Sequence, residues 1–296
     1  MKIRASGYTR AFNIVAVFVI VIVSIACLFP IVLILSGSLT DNNSILKDGY
    51  HLIPKVFSLD GYATVFAFPD TVLRAYGVTI FTTLVGTTIG LLCITMAGYV
   101  LQRKDFKYRN GFSFFIYFTT MFSGGLVPWY ILITKYLMLT DSMWALIMPL
   151  LMNPFLIILM KSFMRSTIPD EIIESGKIDG ANDFVIFYRI IIFIAMPGIA
   201  TIGLFLAIGY WNDWFLSSLY INDPHKYQLQ FYLYNFINNV TAMNQLSQSG
   251  VSITRDVPAE TVKMAMSIIV TGPAILIYPF VQRYFVKGLT IGAVKG

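Results

Sequence analysis

The sequence predicts an all-α integral membrane protein that crosses the bilayer six times, with both termini in the cytoplasm. Three observations carry that prediction. The 296 residues are 57% hydrophobic and 12% charged, with a mean hydropathy of +0.73, outside the range of soluble domains. Six apolar stretches, at 12–36, 74–101, 111–134, 142–164, 190–216 and 259–285, reach the roughly 20 residues a helix needs to cross hydrocarbon. They are continuous rather than alternating, which excludes a closed β-barrel. Finally, 14 of the 21 Lys and Arg residues fall on the side of the two termini and seven on the other, which places the termini inside. The net charge of +6 follows from that topology and from anionic lipid headgroups, and implies no nucleic-acid partner.

The first stretch contains Ser24-Ile25-Ala26-Cys27, which looks like a lipoprotein cleavage site. The apolar run continues through Leu35, longer than the roughly 7–15 residues of a cleavable signal, so it is expected to remain as a span. The other cysteine, Cys93, is also within a span, so cysteine usage does not report a redox compartment. Gly37 to Leu73 is too short for a domain and is expected to cap the outer mouth. His51 has no second ligand at useful spacing and reads as a surface residue, with no metal implied.

The second span ends before the basic run Gln102-Arg103-Lys104, and its Gly86 and Gly90 form G-x-x-x-G. That motif permits close helix approach without by itself indicating a dimer. Gly124, Gly125 and Pro128 weaken the third span, whose freed backbone groups need protein partners or a water-lined path. Asn153-Pro154 falls near the middle of the fourth, where an amide must be paired or face a cavity. The fifth ends in Tyr210-Trp211-Asn212-Asp213-Trp214-Phe215. On a continuous helix Asp213 would lie roughly 24 Å beyond Pro197, in the outer part of the membrane. Two readings stand there: an interfacial aromatic belt, or a sugar contact in which rings pack on pyranose C–H faces and Asn and Asp accept hydroxyl hydrogens. The segment from Ser217 to Pro258 reads as a polar outer loop.

The stretch Thr167 to Pro197 is the most charged and most motif-like of the chain. Thr167 as cap, with Pro169 in the first turn, predicts a helix start. Gly176 and Gly180 are expected to interrupt it. Asp179 is placed to cap a second helix, on which Phe184, Phe187, Tyr188 and Ile191 would share one face. Physically this is either an interfacial loop on the bilayer or a docking element for a cytosolic partner.

The residues themselves resemble a known family. Glu174, Asp179, Gly180, Ala181, Phe187 and Ile190 fall where permeases of ATP-binding-cassette importers carry their EAA loop, and Lys177 to Asn182, KIDGAN, resembles the carbohydrate permeases of the MalG-like type. Ser175 and Gly176 replace the two alanines, Ile192 replaces a leucine and Phe193 a proline, which leaves the entry angle of the next helix open. Phe122 to Pro149, with GGL-x-P and D-x-x-WAL-x-x-P, resembles the branch that handles complex oligosaccharides, the LplC-like branch. The Tyr210–Phe215 run and the C-terminal tail from Gln282 also resemble this family, so the likeness spans most of the chain.

The resemblance implies one permease domain, 1–296, with the six-helix fold of a type I importer in a bacterial cell membrane. Its coupling loop, 167–197, would meet the ATPases through Glu174, Ser175, Gly176, Asp179, Gly180, Ala181, Phe184 and Phe187. The tail, 286–296, would reach toward the ATPase interface. Candidate substrate-path residues are Ser123, Trp129, Asn153, Trp211, Asn212, Asp213 and Trp214. Implied partners are a second permease, two ATPase subunits, an extracytoplasmic solute-binding protein, membrane lipid and a sugar. The chain is expected to bind no cofactor, with ATP and magnesium on the ATPases. It contains no phosphate loop: Gly176-Lys177 is followed by Ile178, and Glu171 stands at the first glycine position. Competing classes are an intramembrane enzyme or assembly factor, for which the spans offer no paired catalytic groups, and a permease for a non-sugar solute. An anion would favour a cation at the midplane, and spans three to five show none.

Overall fold

Long apolar runs fold as helices because a helix satisfies every internal backbone group without water. The structure, a computed structural model, describes residues 7–67, 69–248, 258–273 and 275, and every named element among them is helical. Contacts divide the chain into two units, Met1–Pro69 with Asn235–Gly272, and Asp70–Tyr234 with Pro273–Gly296.

In the first unit, α1 (Gly7–Ser38) covers the first predicted span. The segment expected as an outer cap holds two short helices, α2 (Asn42–Asp48) and α3 (Asp60–Val65). Asp41 caps α2, its carboxylate accepting the Ser44 N–H at 3.1 Å. The segment is tied to the helix over 259–273: Asn42 accepts the Glu260 N–H at 3.0 Å, and the Tyr50 hydroxyl donates to Glu260 at 2.8 Å.

The second unit is built on α4 (Pro69–Gln102). It continues through α5 (Arg109–Met121), α6 (Leu126–Tyr136), α7 (Met143–Leu151), α8 (Pro154–Thr167), α9 (Asp170–Ile178), α10 (Asp183–Ile194), α11 (Met196–Trp211) and α12 (Phe215–Tyr220). The helix α13 (Leu229–Gln248) follows, its residues up to Tyr234 belonging to this unit and those from Asn235 to the first, so much of the predicted outer loop is helical. The G-x-x-x-G of α4 is used inside the chain. A Cβ on Gly86 would sit 2.3 Å from the Tyr210 ring, and one on Gly90 2.9 Å from the Leu151 carbonyl. The Tyr210 hydroxyl donates to the Ile147 carbonyl at 2.7 Å, joining α11 to α7. One core cluster joins Ile94 and Tyr99 of α4, Met160 and Met164 of α8, Ile173 of α9, and Ile186, Phe187 and Ile191 of α10. A second joins Val78, Ile133, Leu146 and Tyr220.

Three of the six predicted spans are not single straight helices. The third bends by 112° between α5 and α6, the fourth by 44° between α7 and α8, and the fifth by 82° between α10 and α11. The breaks fall at Ser123–Gly125, where Gly125 has φ +87°, at Asn153-Pro154, and at Ala195 two residues before Pro197. Among the described residues two helices are long and apolar enough to cross a membrane, or up to five elements if each bent pair is one span. The sixth predicted stretch, 259–285, is helical over 259–273; its remainder and the tail 286–296 lie outside the described residues, save residue 275.

Candidate coupling site and translocation path

The predicted helix–turn–helix is present, but its boundaries are made by other residues than expected. Thr167 does not cap a helix; it ends α8. Pro169 forces the preceding Ile168 into an extended conformation (φ −107°, ψ 107°), and α9 starts at Asp170 with Pro169 as its N-cap. Gly176 does not interrupt α9 either. It is buried within the helix, where a Cβ would stand 3.1 Å from Ile186, so its smallness lets α10 approach. Gly180 makes the turn. With φ +79° it closes a Schellman motif, in which the Ala181 N–H donates to the Gly176 carbonyl and the Gly180 N–H to the Lys177 carbonyl, both at 3.0 Å. Asp179 is the C-cap of α9, and the cap of α10 is Asn182, which accepts the Val185 N–H at 2.9 Å. KIDGAN is thus a helix stop followed at once by a helix start.

The expected apolar face of α10 is also divided. A π-turn over Phe187–Ile191 inserts extra backbone and rotates the register. Phe187 and Ile191 are buried, whereas Phe184 and Tyr188 are exposed. Glu174, Ser175, Asp179 and Gly180 are exposed as well, and Ala181 is half-buried. The tip adds Ile178, 86% exposed, which the motif did not single out. Beside Phe184 (66% exposed) it gives the turn an apolar surface with Glu174 and Asp179 in the same segment. A cavity of about 400 Å³, lined in part by Met96, Tyr99, Phe106, Phe184 and Phe187, lies between the end of α4 and α10.

An ion-pair network not anticipated from the sequence ties this element to the end of α4. Arg103, with a side chain only 9% exposed, donates through Nε and Nη2 to Asp105 and through Nη1 to Asp183 on α10. The Lys177 ammonium on α9 donates to Asp105 at 2.7 Å, and Lys104 pairs with Asp170 at the start of α9. The Arg103 guanidinium also lies 5.6 Å from the centre of the Tyr99 ring. The bonds from Arg103, then those from Lys177, hold the Asp105 carboxyl far below the ordinary carboxylate range. Sequence alone showed Arg103 and Lys104 only as a basic stop, since nothing in the spacing linked them to Asp183 and Asp170, 80 and 66 positions later.

Path candidates fall on several elements. Ser123 lies in the α5–α6 break, its hydroxyl accepting the Gly125 N–H at 3.2 Å, and Trp129 is exposed on α6. The Asn153 carbonyl oxygen caps α8, accepting the N–H groups of Phe155 at 3.0 Å and Leu156 at 3.3 Å. The α11 helix ends at Trp211, so the run does not continue along one helix to Asp213 as expected. Instead it turns toward α13. Asn212 accepts from the Gln230 amide at 3.2 Å, Trp214 stacks on Tyr234 at 4.8 Å, and Trp211 lies 6.5 Å from Tyr76. Asp213 Oδ1 accepts the Leu216 N–H at 3.4 Å, while Oδ2 is buried with no hydrogen-bond partner. Gln230 and Tyr234 were missed because α13 read as loop. Asp141 ties the turn before α7 to the segment after α12, accepting the N–H groups of Asn222 at 2.6 Å and Asp223 at 3.0 Å.

Broken apolar helices thus present a capped helix–turn–helix that ion pairs tie to the end of α4. Comparison with known proteins specifies the class. Residues 90–291 match the family described as binding-protein-dependent transport system inner membrane component, and the chain belongs to that family. It is 39% identical over 289 residues to Protein LplC of Bacillus subtilis (strain 168), covering 97% of this chain and 96% of that one. It is 36% identical over 287 residues to the polygalacturonan/rhamnogalacturonan transport system permease protein YtcP of the same organism, covering 97% and 99%. Among solved structures it resembles a bacterial ABC transporter involved in the import of the acidic polysaccharide alginate, with a TM-score of 0.82, 30% identity, and coverage of 96% of this chain and all of that chain.

Proposed function

We propose that this chain is one of two permease subunits of an ATP-driven importer in a bacterial cell membrane, carrying a sugar or oligosaccharide. The observation that carries the reading is the α9–turn–α10 element, whose exposed Glu174, Ile178, Asp179 and Phe184 surround a turn fixed by Gly180. Family membership and the saccharide transport named for YtcP and for the alginate transporter support it. On this reading the α9–α10 face is cytoplasmic and docks on an ATPase subunit, ATP and magnesium bind only there, and a solute-binding protein delivers substrate to the opposite face. Closure of the ATPase pair moves α9 and α10, and the Arg103 network transmits that motion to α4. The cluster of Trp211, Asn212, Asp213, Trp214, Gln230 and Tyr234 faces the sugar. A buried carboxylate oxygen without a partner is costly unless a donor reaches it, and a sugar hydroxyl is such a donor. The test is co-purification of the chain with a second permease and ATPases, followed by ATPase assays with saccharide-loaded binding protein. Retention of ATPases and stimulation by the loaded protein are expected. A chain that purifies alone and stimulates nothing would contradict the proposal.

A further inference from the structure

A second cavity, of about 570 Å³, opens where the end of α4 meets the starts of α5 and α9 and the C-terminal part of α8. Lys104, Arg109, Lys161 and Arg165 line it, against the acids Asp170 and Glu171. Lys104 is taken by Asp170, so the remaining three cations face a single acid. Lys161 donates to the Ser113 hydroxyl at 2.8 Å and Arg109 to the Arg103 carbonyl at 3.2 Å, which leaves further donors on each. Arg165 has no carboxylate within ion-pair distance among the described residues. The wall also holds Gln102, 6% exposed, whose amide nitrogen Nε2 is buried without a hydrogen-bond partner. A buried donor left unmade carries its full desolvation penalty. Donors in excess, of fixed geometry and net positive charge, suit a tetrahedral oxyanion.

We propose that this cavity holds the phosphate of an anionic phospholipid, bound by Arg109, Lys161 and Arg165. The inference rests on the reading of the α9–α10 face as cytoplasmic. The cavity lies where apolar helix gives way to charge: the run of α4 ends at Leu101, and on α5 the exposed Phe112, Phe114 and Phe115 follow Arg109 within two turns. No residue of α5 is buried, so the helix offers uncovered apolar surface for acyl chains next to the cavity. Basic pockets between spans at this level suit lipid headgroups.

The experiment is native mass spectrometry of the assembled importer taken from vesicles of phosphatidylcholine with phosphatidylglycerol, for wild type, Arg165→Gln, Gln102→Leu and the control Lys107→Gln. Wild type is expected to retain phosphatidylglycerol in preference to phosphatidylcholine. Arg165→Gln should lower retention about fivefold, the order expected for one basic residue at a membrane surface, Gln102→Leu should lower it too, and Lys107→Gln should leave it unchanged. Retention that does not respond to Arg165→Gln or Gln102→Leu overturns the proposal. Complete displacement by millimolar inorganic phosphate would assign the cavity to free phosphate, and expulsion of lipid when ATPase subunits assemble would assign it to an acidic side chain of that partner; either result also overturns it. Sugar uptake by the wild-type complex is read separately. Its absence would strike the permease reading, and leave the lipid measurement standing.

Discussion

Removing Arg103 should free the α9–turn–α10 element from the end of α4. The guanidinium is nearly buried, but its acceptors are not: Asp105 is 49% and Asp183 58% exposed. Hydrogen bonds to charged groups contribute about 1.5–3 kcal/mol each in sheltered sites. Screening at a half-exposed carboxylate brings a pair down toward about 1 kcal/mol or less. The sheltered guanidinium keeps the Arg103–Asp183 coupling somewhat above that, at about 1–2 kcal/mol, which is roughly 5- to 30-fold in the docked-to-undocked equilibrium of α10. Hydrogen exchange of the Phe187–Ile191 amides reads that equilibrium. Arg103→Ala should accelerate it by roughly that factor, Asp183→Asn by less, and the double variant no more than Arg103→Ala. Arg103→Lys should recover only part, because one ammonium cannot reproduce the fork between two carboxylates. Unchanged exchange in Arg103→Ala, or fully additive effects in the double variant, would refute the argument.

Other substitutions test separate contacts. Gly180→Asn should keep ATPase in pull-downs and Gly180→Val should lose it, because φ +79° costs a branched residue roughly 1–2 kcal/mol while a Cβ there meets nothing within 4 Å; equal losses would mean that bulk against the partner decides. Gly86→Ala should destabilise by about 1–3 kcal/mol through the Tyr210 ring, visible as a lower melting temperature; an unchanged one would disprove that packing. Asp141→Ala should expose residues 221–226 to faster hydrogen exchange by removing the acceptor of two backbone N–H groups. The N–H groups of Asp223, then of Asn222, hold the Asp141 carboxyl below its ordinary value, so its contribution is complete above the unfolded pKa of about 3.9 and is lost only as pH falls through the depressed one. Protection of this segment, the exchange rate relative to that of the unfolded chain at the same pH, should therefore stay flat from neutral pH to about pH 5, and a fall in protection within that window would contradict the assignment.

The sequence revealed the helical class and the helix–turn–helix over 170–194 more clearly than the details that shape them. Long apolar runs and KIDGAN are local signals, and Gly124-Gly125 and Asn153-Pro154 already marked where backbone geometry had to break. The cap of α10 reads as Asp179 rather than Asn182 because both are good caps, and only the Schellman closure at Gly180 decides which residue ends α9 and which starts α10. The split face of α10 depends on a π-turn that no residue pattern announces. Arg103 with Asp183, and Trp214 with Tyr234, are pairs distant in sequence, and their partners looked like ordinary loop residues until the fold joined them.

The central claim is that the α9–turn–α10 element couples this chain to an ATPase. The most direct measurement is the ATPase rate of the reconstituted importer, with and without saccharide-loaded binding protein, for wild type and for Gly180→Val. Stimulation is expected in wild type and, in the variant, its loss while the chain remains in the membrane at normal level. Stimulation of equal size in both would contradict it.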